Sequence, residues 1–190
     1  MRLFVAVELG QALSERAAAL SRELQRRAAD LAPRAKITWI PAERLHLTIR
    51  FIGEVDDHRA AAIHDSLAPP LPIAPFEMTL AGAGAFPRRG APRVLWAGVA
   101  DGKDRLLALE GEVSARLAPL GLAEEARPYS PHLTLARVRE AGGLRTVRLL
   151  EGLTAHPVGA TRVDAITLFQ SRLSPKGPTY APLMHTPCAP

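Results

Sequence analysis

Two copies of a His-x-Thr motif are the residues of this chain whose types and spacing point to chemistry. The first copy is His46-Leu-Thr48 and the second, 86 residues later, is His132-Leu-Thr134. Each stands in a stretch rich in Leu, Ile and Thr, which predicts a β-strand. Because side chains alternate along a strand, each histidine shares a face with its threonine while the leucine between them faces the core. Two imidazoles and two hydroxyls are therefore candidates for one shared site.

This set of side chains suits displacement at phosphorus. One histidine takes a proton from the nucleophile and the other gives a proton to the departing oxygen, two tasks that an imidazole with a pKa of ~6.5 performs near neutral pH. Threonine hydroxyls can donate hydrogen bonds to nonbridging phosphate oxygens as charge builds there. A single His-x-Thr strand is commonly a packing feature, but nothing in packing requires the same pair twice. The repetition favours the catalytic interpretation.

We expect this chemistry to proceed without a metal or other cofactor. Two strands with one histidine each lack the nearby carboxylate or third imidazole that a zinc site needs. A metallohydrolase is the alternative, and a chelator tests it.

The first half of the chain predicts the order strand, helix, strand, helix, strand. Apolar residues three and four apart between Leu13 and Leu31 indicate an amphipathic helix, and Asp56 or Asp57 is suited to capping the second helix. The proline-rich segment 69–72 ends that helix. The predicted strands are Leu3–Leu9, Ile37–Ile52 and Phe76–Leu80.

The second half repeats this order, with corresponding elements 86 to 91 residues apart. Strands are predicted at Arg93–Val99, His132–Val138 and Val163–Phe169, and helices at 104–120 and 144–153. The match predicts an internal duplication with pseudo-twofold symmetry and an antiparallel-rich α+β sheet in each half. We expect a single domain over residues 1–190, with halves of about 1–85 and 92–175. The tail, 176–190, is predicted to be irregular apart from one edge strand near 180–183.

Composition and charge narrow the class of protein. The chain has 190 residues, 47% hydrophobic and 23% charged, which are values typical of one globular domain. Its net charge of +5 arises from 21 Arg and 3 Lys against 19 acidic residues. Arginine suits bidentate phosphate contacts and favours a polyanionic partner, although GC-rich coding bias is an equal alternative.

The cysteine count and the lengths of the apolar segments limit the cellular compartments in which the protein is expected. The single cysteine, Cys188, excludes an intrachain disulfide and a Cys-based zinc framework. No apolar run approaches the length of a membrane span, and the N-terminus resembles a strand rather than a secretion signal. We expect a soluble, monomeric, cytoplasmic protein without membrane partners.

The sequence resembles the 2H phosphoesterase superfamily, and within it the RNA 2′,3′-cyclic phosphodiesterases that are also called 2′-5′ RNA ligases. The resemblance runs along nearly the whole chain and rests on Arg2-Leu-Phe-Val-Ala-Val, Leu45-His-Leu-Thr-Ile-Arg-Phe-Ile-Gly-Glu54, Tyr129-Ser-Pro-His-Leu-Thr-Leu-Ala-Arg137 and Gly177-Pro-Thr-Tyr180. It implies a bilobal fold with a central cleft and metal-free opening of a terminal 2′,3′-cyclic phosphate to a 2′-phosphate. The implied partner is RNA with such an end, tRNA fragments included. The ligation reaction and a non-catalytic RNA or nucleotide binder are the alternatives.

The resemblance also implies a role for individual residues. His46 protonates the leaving 3′ oxygen, His132 activates water, and Thr48 and Thr134 hold the phosphate. Arg137 contacts the phosphate or its flanking nucleotide. Strict alternation puts Arg137 on the face opposite His132, so this contact requires a long reach or a β-bulge.

Other side chains are weaker candidates. Arg50 shares the His46 face under strict alternation and is a second candidate for substrate binding, with a salt-bridged or solvated role as the alternative. Four aromatic residues are candidates for stacking on a base, or else for core and cleft wall. They are Trp39, Phe51, Trp96 and Tyr180.

Overall fold

Two five-stranded β-sheets form the frame of the chain in a computed structural model, which describes residues 1–122, 128–174 and 177–189. The strands are β1 (Arg2–Glu8), β2 (Lys36–Trp39), β3 (His46–Glu54), β4 (Leu71–Pro72), β5 (Phe76–Phe86), β6 (Val94–Asp101), β7 (His132–Glu140), β8 (Pro157–Val163), β9 (Ala165–Arg172) and β10 (Thr179–Ala189). The helices are α1 (Gly10–Leu31), α2 (Asp57–Leu67), α3 (Lys103–Leu117) and α4 (Thr146–Leu149), with 3₁₀ turns at Ala42–Arg44 and Ala118–Leu120.

Each sheet belongs to one lobe. The first sheet has the strand order β3-β1-β9-β10-β4 and the second has the order β2-β7-β6-β5-β8. Neighbouring strands are antiparallel except for β10 and the short β4, which are parallel. The prediction of a bilobal, antiparallel-rich α+β fold is confirmed.

The expectation that each half of the sequence forms its own sheet is wrong. Strand β5, from the first half, pairs with β6 and β8 in the second sheet, and β9, from the second half, pairs with β1 in the first sheet. The reason is local: β5 and β6 follow one another along the chain and are joined by a short turn, so they pair as a hairpin. The two sheets nevertheless correspond, since β3-β1-β9 in one matches β7-β6-β5 in the other.

The helices cover the core faces of the sheets and are exchanged in the same way. Helix α1, from the first half, packs on β7 and β8, whereas α3, from the second half, packs on β3. The apolar stripe predicted for α1 is buried from Leu13 to Ala28, whereas its last member, Leu31, is 46% exposed. Asp56 caps α2 by accepting a hydrogen bond from the Arg59 amide at 2.8 Å. One continuous hydrophobic core therefore joins both lobes.

The C-terminal segment is more regular than predicted. Strand β10 spans eleven residues and lies between β9 and β4, not at an edge near 180–183. Its prolines predict irregular structure, but a register shift follows Pro182 and pairing resumes at Met184. Residues 175, 176 and 190 lie outside the described residues. In the described ranges, no helix combines the length and the apolar character that crossing a membrane requires.

Candidate active site

The first motif begins strand β3 and presents its two polar side chains to one face of the first sheet. His46 is paired with Glu8 across the sheet, and Thr48 is paired with Ala6. Leu47, between them, is fully buried in the core. We call the face that carries His46 and Thr48, together with the corresponding face of the second sheet, the cleft face.

The second motif begins strand β7 in the same manner. His132 is paired with Gly98 and Thr134 with Trp96, while Leu133 is fully buried. The predicted alternation is therefore observed within both motifs. Gly84 makes room for the indole of Trp96, since a Cβ atom at Gly84 would come within 2.2 Å of the ring.

The two motif strands contact each other although they belong to different sheets. The hydroxyl of Tyr129, three residues before His132, donates a hydrogen bond of 2.9 Å to the carbonyl oxygen of Thr48. The amide of Ile40 donates to the carbonyl oxygen of Leu135 at 2.9 Å. These bonds join the segments around both motifs.

Each catalytic candidate histidine is held by the backbone two residues before it. The Nδ1 atom of His46 lies 2.9 Å from the carbonyl oxygen of Arg44, and that of His132 lies 2.7 Å from the carbonyl oxygen of Ser130. A carbonyl oxygen only accepts, so Nδ1 carries the hydrogen in both rings. The tautomer is thereby fixed, and Nε2 is left as the atom that exchanges protons.

Aromatic rings surround both imidazoles. The ring of His46 lies 4.9 Å from that of Phe4 and 5.0 Å from that of Tyr180 between centroids. The ring of His132 lies 5.1 Å from that of Phe86 in an edge-to-face arrangement. Burial lowers the pKa of both histidines, the Nδ1 hydrogen bonds oppose this, and the charge of Arg137 lowers each pKa further.

A β-bulge brings Arg137 to the cleft face. Strand pairing joins Trp96 to Thr134 but Leu95 to Ala136, so Leu135 is an extra residue without an opposite partner. Both Leu135 and Ala136 are buried, so the alternation of side chains between the two faces of the strand shifts by one residue there. Arg137 thus shares the face of Thr134 and is exposed. The alternation that placed it opposite His132 is wrong because of this bulge.

A matching bulge removes Arg50 from the cleft face. Ala6 pairs with Thr48 but Val5 pairs with Arg50, which leaves Ile49 as the extra residue. Arg50 therefore lies on the core face beside Val5 and is only 4% exposed. Its Nη1 atom is 3.4 Å from a carboxylate oxygen of Glu110 on α3. The prediction that Arg50 shares the His46 face is wrong, and the alternative of a salt-bridged role is what the structure contains.

A cavity of about 850 Å³ opens beside His46. Phe169 and Tyr180 form part of its wall, and Glu8, Glu43 and Arg44 line it with charge. This volume falls in the range of protein sites that bind small molecules. The site thus combines two imidazoles that are each held at Nδ1 with space on the His46 side.

Sequence reasoning located only part of the aromatic surroundings. Of the four candidates, Trp96 and Tyr180 lie on the cleft face near the histidines, and Phe51 is 45% exposed on that face. Trp39 pairs with Ala136 and so lies on the core face. Three phenylalanines at the site were not predicted, namely Phe4, Phe86 and Phe169. The alternation of Phe4 and Ala6 with core residues was the available signal for the first of them.

No group of three or more His, Cys, Asp or Glu side chains suited to holding a metal ion occurs in residues 1–122, 128–174 and 177–189.

The family model described as the 2′-5′ RNA ligase superfamily matches residues 10–174, which include both motifs. The chain belongs to this superfamily. The resemblance inferred from the motifs is therefore confirmed over most of the sequence.

Relatives in this superfamily are similar over most of their length. An RNA 2′,3′-cyclic phosphodiesterase of Aeropyrum pernix is 40% identical over 148 residues, which cover 77% of this chain and 84% of that protein. One of Archaeoglobus fulgidus is 32% identical over 183 residues, covering 96% and 98%. The crystal structure of Escherichia coli LigT without ligand has a TM-score of 0.75 and 26% identity, covering 100% of this chain and 98% of that chain.

Proposed function

We propose that this chain hydrolyses the 2′,3′-cyclic phosphate end of RNA to a 2′-phosphomonoester, using His46 and His132 and no metal. The name RNA 2′,3′-cyclic phosphodiesterase, carried by relatives of the superfamily, supports the substrate class. One observation carries the proposal: strands β3 and β7, which begin with His46 and His132, contact each other, and Tyr129 donates a hydrogen bond to the carbonyl oxygen of Thr48 at 2.9 Å. This contact supports one shared site for the two histidines.

The reaction needs the two histidines in opposite protonation states. Neutral His132 takes a proton from water at Nε2, and the water oxygen forms a bond to phosphorus. The bond between phosphorus and the 3′ oxygen breaks, and protonated His46 gives its proton to that oxygen. The product carries the phosphate on the 2′ oxygen and a free 3′ hydroxyl. After the reaction His132 is protonated and His46 is neutral. His132 then releases a proton to the solvent and His46 takes one up, which restores both imidazoles.

Charge on the nonbridging oxygens is met by Thr48, Thr134 and Arg137. The two hydroxyls are placed by the same strand faces as the histidines, and the bulge at Leu135 brings the guanidinium to that face. Donors positioned before the reaction stabilise charge that develops in the transition state.

The ligation reaction uses the same groups in the same roles, with a 5′ hydroxyl in place of water. Joining a 2′,3′-cyclic end to a 5′ hydroxyl through a 2′-5′ bond requires one histidine to deprotonate the hydroxyl and the other to protonate the leaving oxygen. Because water and a 5′ hydroxyl compete for the same phosphorus atom, ligation can accompany hydrolysis, and the high concentration of water favours hydrolysis.

A product analysis tests the proposal. A short oligonucleotide with a 2′,3′-cyclic end is incubated with the enzyme, and the product is compared with authentic 2′- and 3′-phosphate standards. We expect the 2′-phosphate, whereas a 3′-phosphate would overturn the assigned geometry. The double variant His46→Ala/His132→Ala, purified in parallel, controls for contaminating nucleases.

The acid role of His46 is tested with a second substrate. A phosphodiester with a good leaving group needs no protonation of the departing oxygen, so His46→Ala should impair its hydrolysis much less than that of the cyclic end. His132→Ala should impair both substrates alike. Equal losses in both variants on both substrates would remove the distinction between acid and base.

A further inference from the structure

The turn between β5 and β6 is the most basic short segment of the chain. Residues 87–93 read Pro-Arg-Arg-Gly-Ala-Pro-Arg and contain three arginines and no acidic residue. All three arginines are exposed. Within the part of the chain that the structure describes, the guanidinium groups of Arg88, Arg89 and Arg93 make no hydrogen bond and no ion pair. Such unpaired charges are suited to binding an external polyanion.

This turn stands at the end of the candidate active site. Phe86, which precedes it, contacts the ring of His132, and Val94, which follows it, is paired with Arg137. The amide of Arg93 closes the turn by donating to the carbonyl oxygen of Phe86 at 2.7 Å. Arg88 and Arg89 follow Phe86 by two and three residues, hence within about 7–11 Å of chain. The turn therefore lies beyond Arg137 at the end of the line of cleft-face residues His132, Thr134 and Arg137.

A groove borders Arg88 in this turn. It has a volume of about 590 Å³ and runs between Arg88 and helix α4, with Arg148 and the exposed Val147 on the opposite wall. Arg148 also has no hydrogen-bond or ion-pair partner among the described residues. Glu151 is the acidic residue in the wall of this groove. Two guanidinium groups thus face one carboxylate, and the balance of charge is positive.

The other side of the cleft has the opposite charge. The cavity beside His46 is lined by three glutamates, Glu8, Glu15 and Glu43. Among the described residues of that wall, the arginine is Arg44, which already donates a hydrogen bond of 2.7 Å to the carbonyl oxygen of Pro178. A chain of phosphates is repelled on this side and attracted on the side of the turn.

We propose that Arg88, Arg89, Arg93 and Arg148 form an arginine track that binds the phosphodiester backbone of the RNA upstream of its 2′,3′-cyclic end. This inference rests on the proposed function, because it assigns a path to the rest of the same substrate. The track makes the enzyme more efficient on oligonucleotides than on a cyclic mononucleotide, which has no further phosphates. Contacts of this kind add binding that is the same in the ground state and the transition state, so they lower KM rather than raise kcat.

The test compares two substrates and two double variants. The substrates are an oligonucleotide of about ten residues with a 2′,3′-cyclic end and 2′,3′-cyclic AMP, each assayed over a range of KCl concentrations. The track variant is Arg88→Gln/Arg148→Gln. The matched control is Lys103→Gln/Arg162→Gln, which also removes two exposed positive charges. Arg162 is paired with Glu77 at the far end of β5, nine residues or about 30 Å from Phe86, and Lys103 follows Gly102, which packs against the same end.

The track variant should raise KM for the oligonucleotide about fivefold or more. The kcat for the oligonucleotide and the hydrolysis of 2′,3′-cyclic AMP should be unchanged. The slope of log KM against log[KCl] should fall by about 1.4, because each lost contact to a single strand contributes about 0.7. The control should change neither quantity. An unchanged oligonucleotide KM, or equal losses on both substrates, overturns the track. Failure of the wild-type protein to hydrolyse either substrate would instead overturn the proposed function.

Discussion

Arg137 and Phe51 occupy corresponding positions on the two motif strands. Each is five residues after its motif histidine, each follows a bulge, and each is paired across its sheet with a residue on the cleft face, Val94 for Arg137 and Phe4 for Phe51. The two lobes therefore differ in the side chain at this position. The second lobe presents the guanidinium of Arg137, which acts on both histidines, whereas the first lobe presents the ring of Phe51, over which the Arg2 guanidinium lies at 5.0 Å.

This asymmetry predicts a shift in the pH profile when Arg137 is replaced. Burial and the Arg137 charge lower the pKa of both histidines, so the bell-shaped profile of kcat/KM should have its maximum below the ordinary histidine pKa of ~6.5. In Arg137→Gln the cation is gone, both pKa values rise, and both limbs should move to higher pH. The two apparent values belong to the coupled pair.

Arg139→Gln is the matched control for this profile. It removes an exposed arginine two residues away, whose charge is not a cause of either shift. Its profile should coincide with that of the wild type. A profile of Arg137→Gln that keeps its position while the rate falls would mean that Arg137 acts on the substrate alone.

Removing either histidine should lower turnover by about two or more orders of magnitude, the typical contribution of one proton-transfer group. The variants are His46→Ala and His132→Ala, measured by kcat on an oligonucleotide with a 2′,3′-cyclic end. His64→Ala, on the exposed face of α2, should retain full activity. Circular dichroism checks that all three variants remain folded. Wild-type turnover in His132→Ala would exclude it as the base.

The threonine hydroxyls are tested by the near-isosteric variants Thr48→Val and Thr134→Val. If its hydroxyl donates to developing charge, each variant should lose about 2–4 kcal/mol of transition-state stabilisation, measured as a decrease in kcat/KM. The bond from Tyr129 to residue 48 uses the backbone carbonyl oxygen, so it is retained in Thr48→Val. Thr161→Val, on β8, controls for loss of a strand hydroxyl elsewhere. A change in KM alone would indicate ground-state binding rather than catalysis.

Arg50 should matter for stability and not for turnover. Arg50→Met leaves the carboxylate of Glu110, which is 21% exposed, without the cation at 3.4 Å. We expect the free energy of unfolding to fall by about 2–3 kcal/mol, somewhat below the 3–5 kcal/mol typical of a fully buried pair. Urea unfolding measures this change. A loss of kcat in folded Arg50→Met would return the residue to the substrate-binding site.

Chelation should leave turnover unchanged, since in the proposed mechanism the two imidazoles carry both proton transfers, and Thr48, Thr134 and Arg137 stabilise the charge on the phosphate. The enzyme is dialysed against EDTA and assayed before and after dialysis. Loss of activity that added zinc restores would favour the metallohydrolase interpretation.

The sequence by itself determined the family and most local elements. Both motifs, the face shared by each histidine and its threonine, the periodic helix α1 and the Asp56 cap depend on neighbours within a few residues, and such neighbours are visible in the sequence. The family resemblance followed from the same short segments.

Tertiary structure alone decided where Arg50 and Arg137 lie and which strands share a sheet. A bulge exists only relative to a paired strand, so strict alternation assigned both arginines to the wrong face. The pairing of β9 with β1 depends on hydrogen bonds between segments far apart in the chain, which a local sequence pattern does not show. Because those pairings also place Phe4, Phe86 and Phe169 around the histidines, the environment that lowers both pKa values could be known only from the fold.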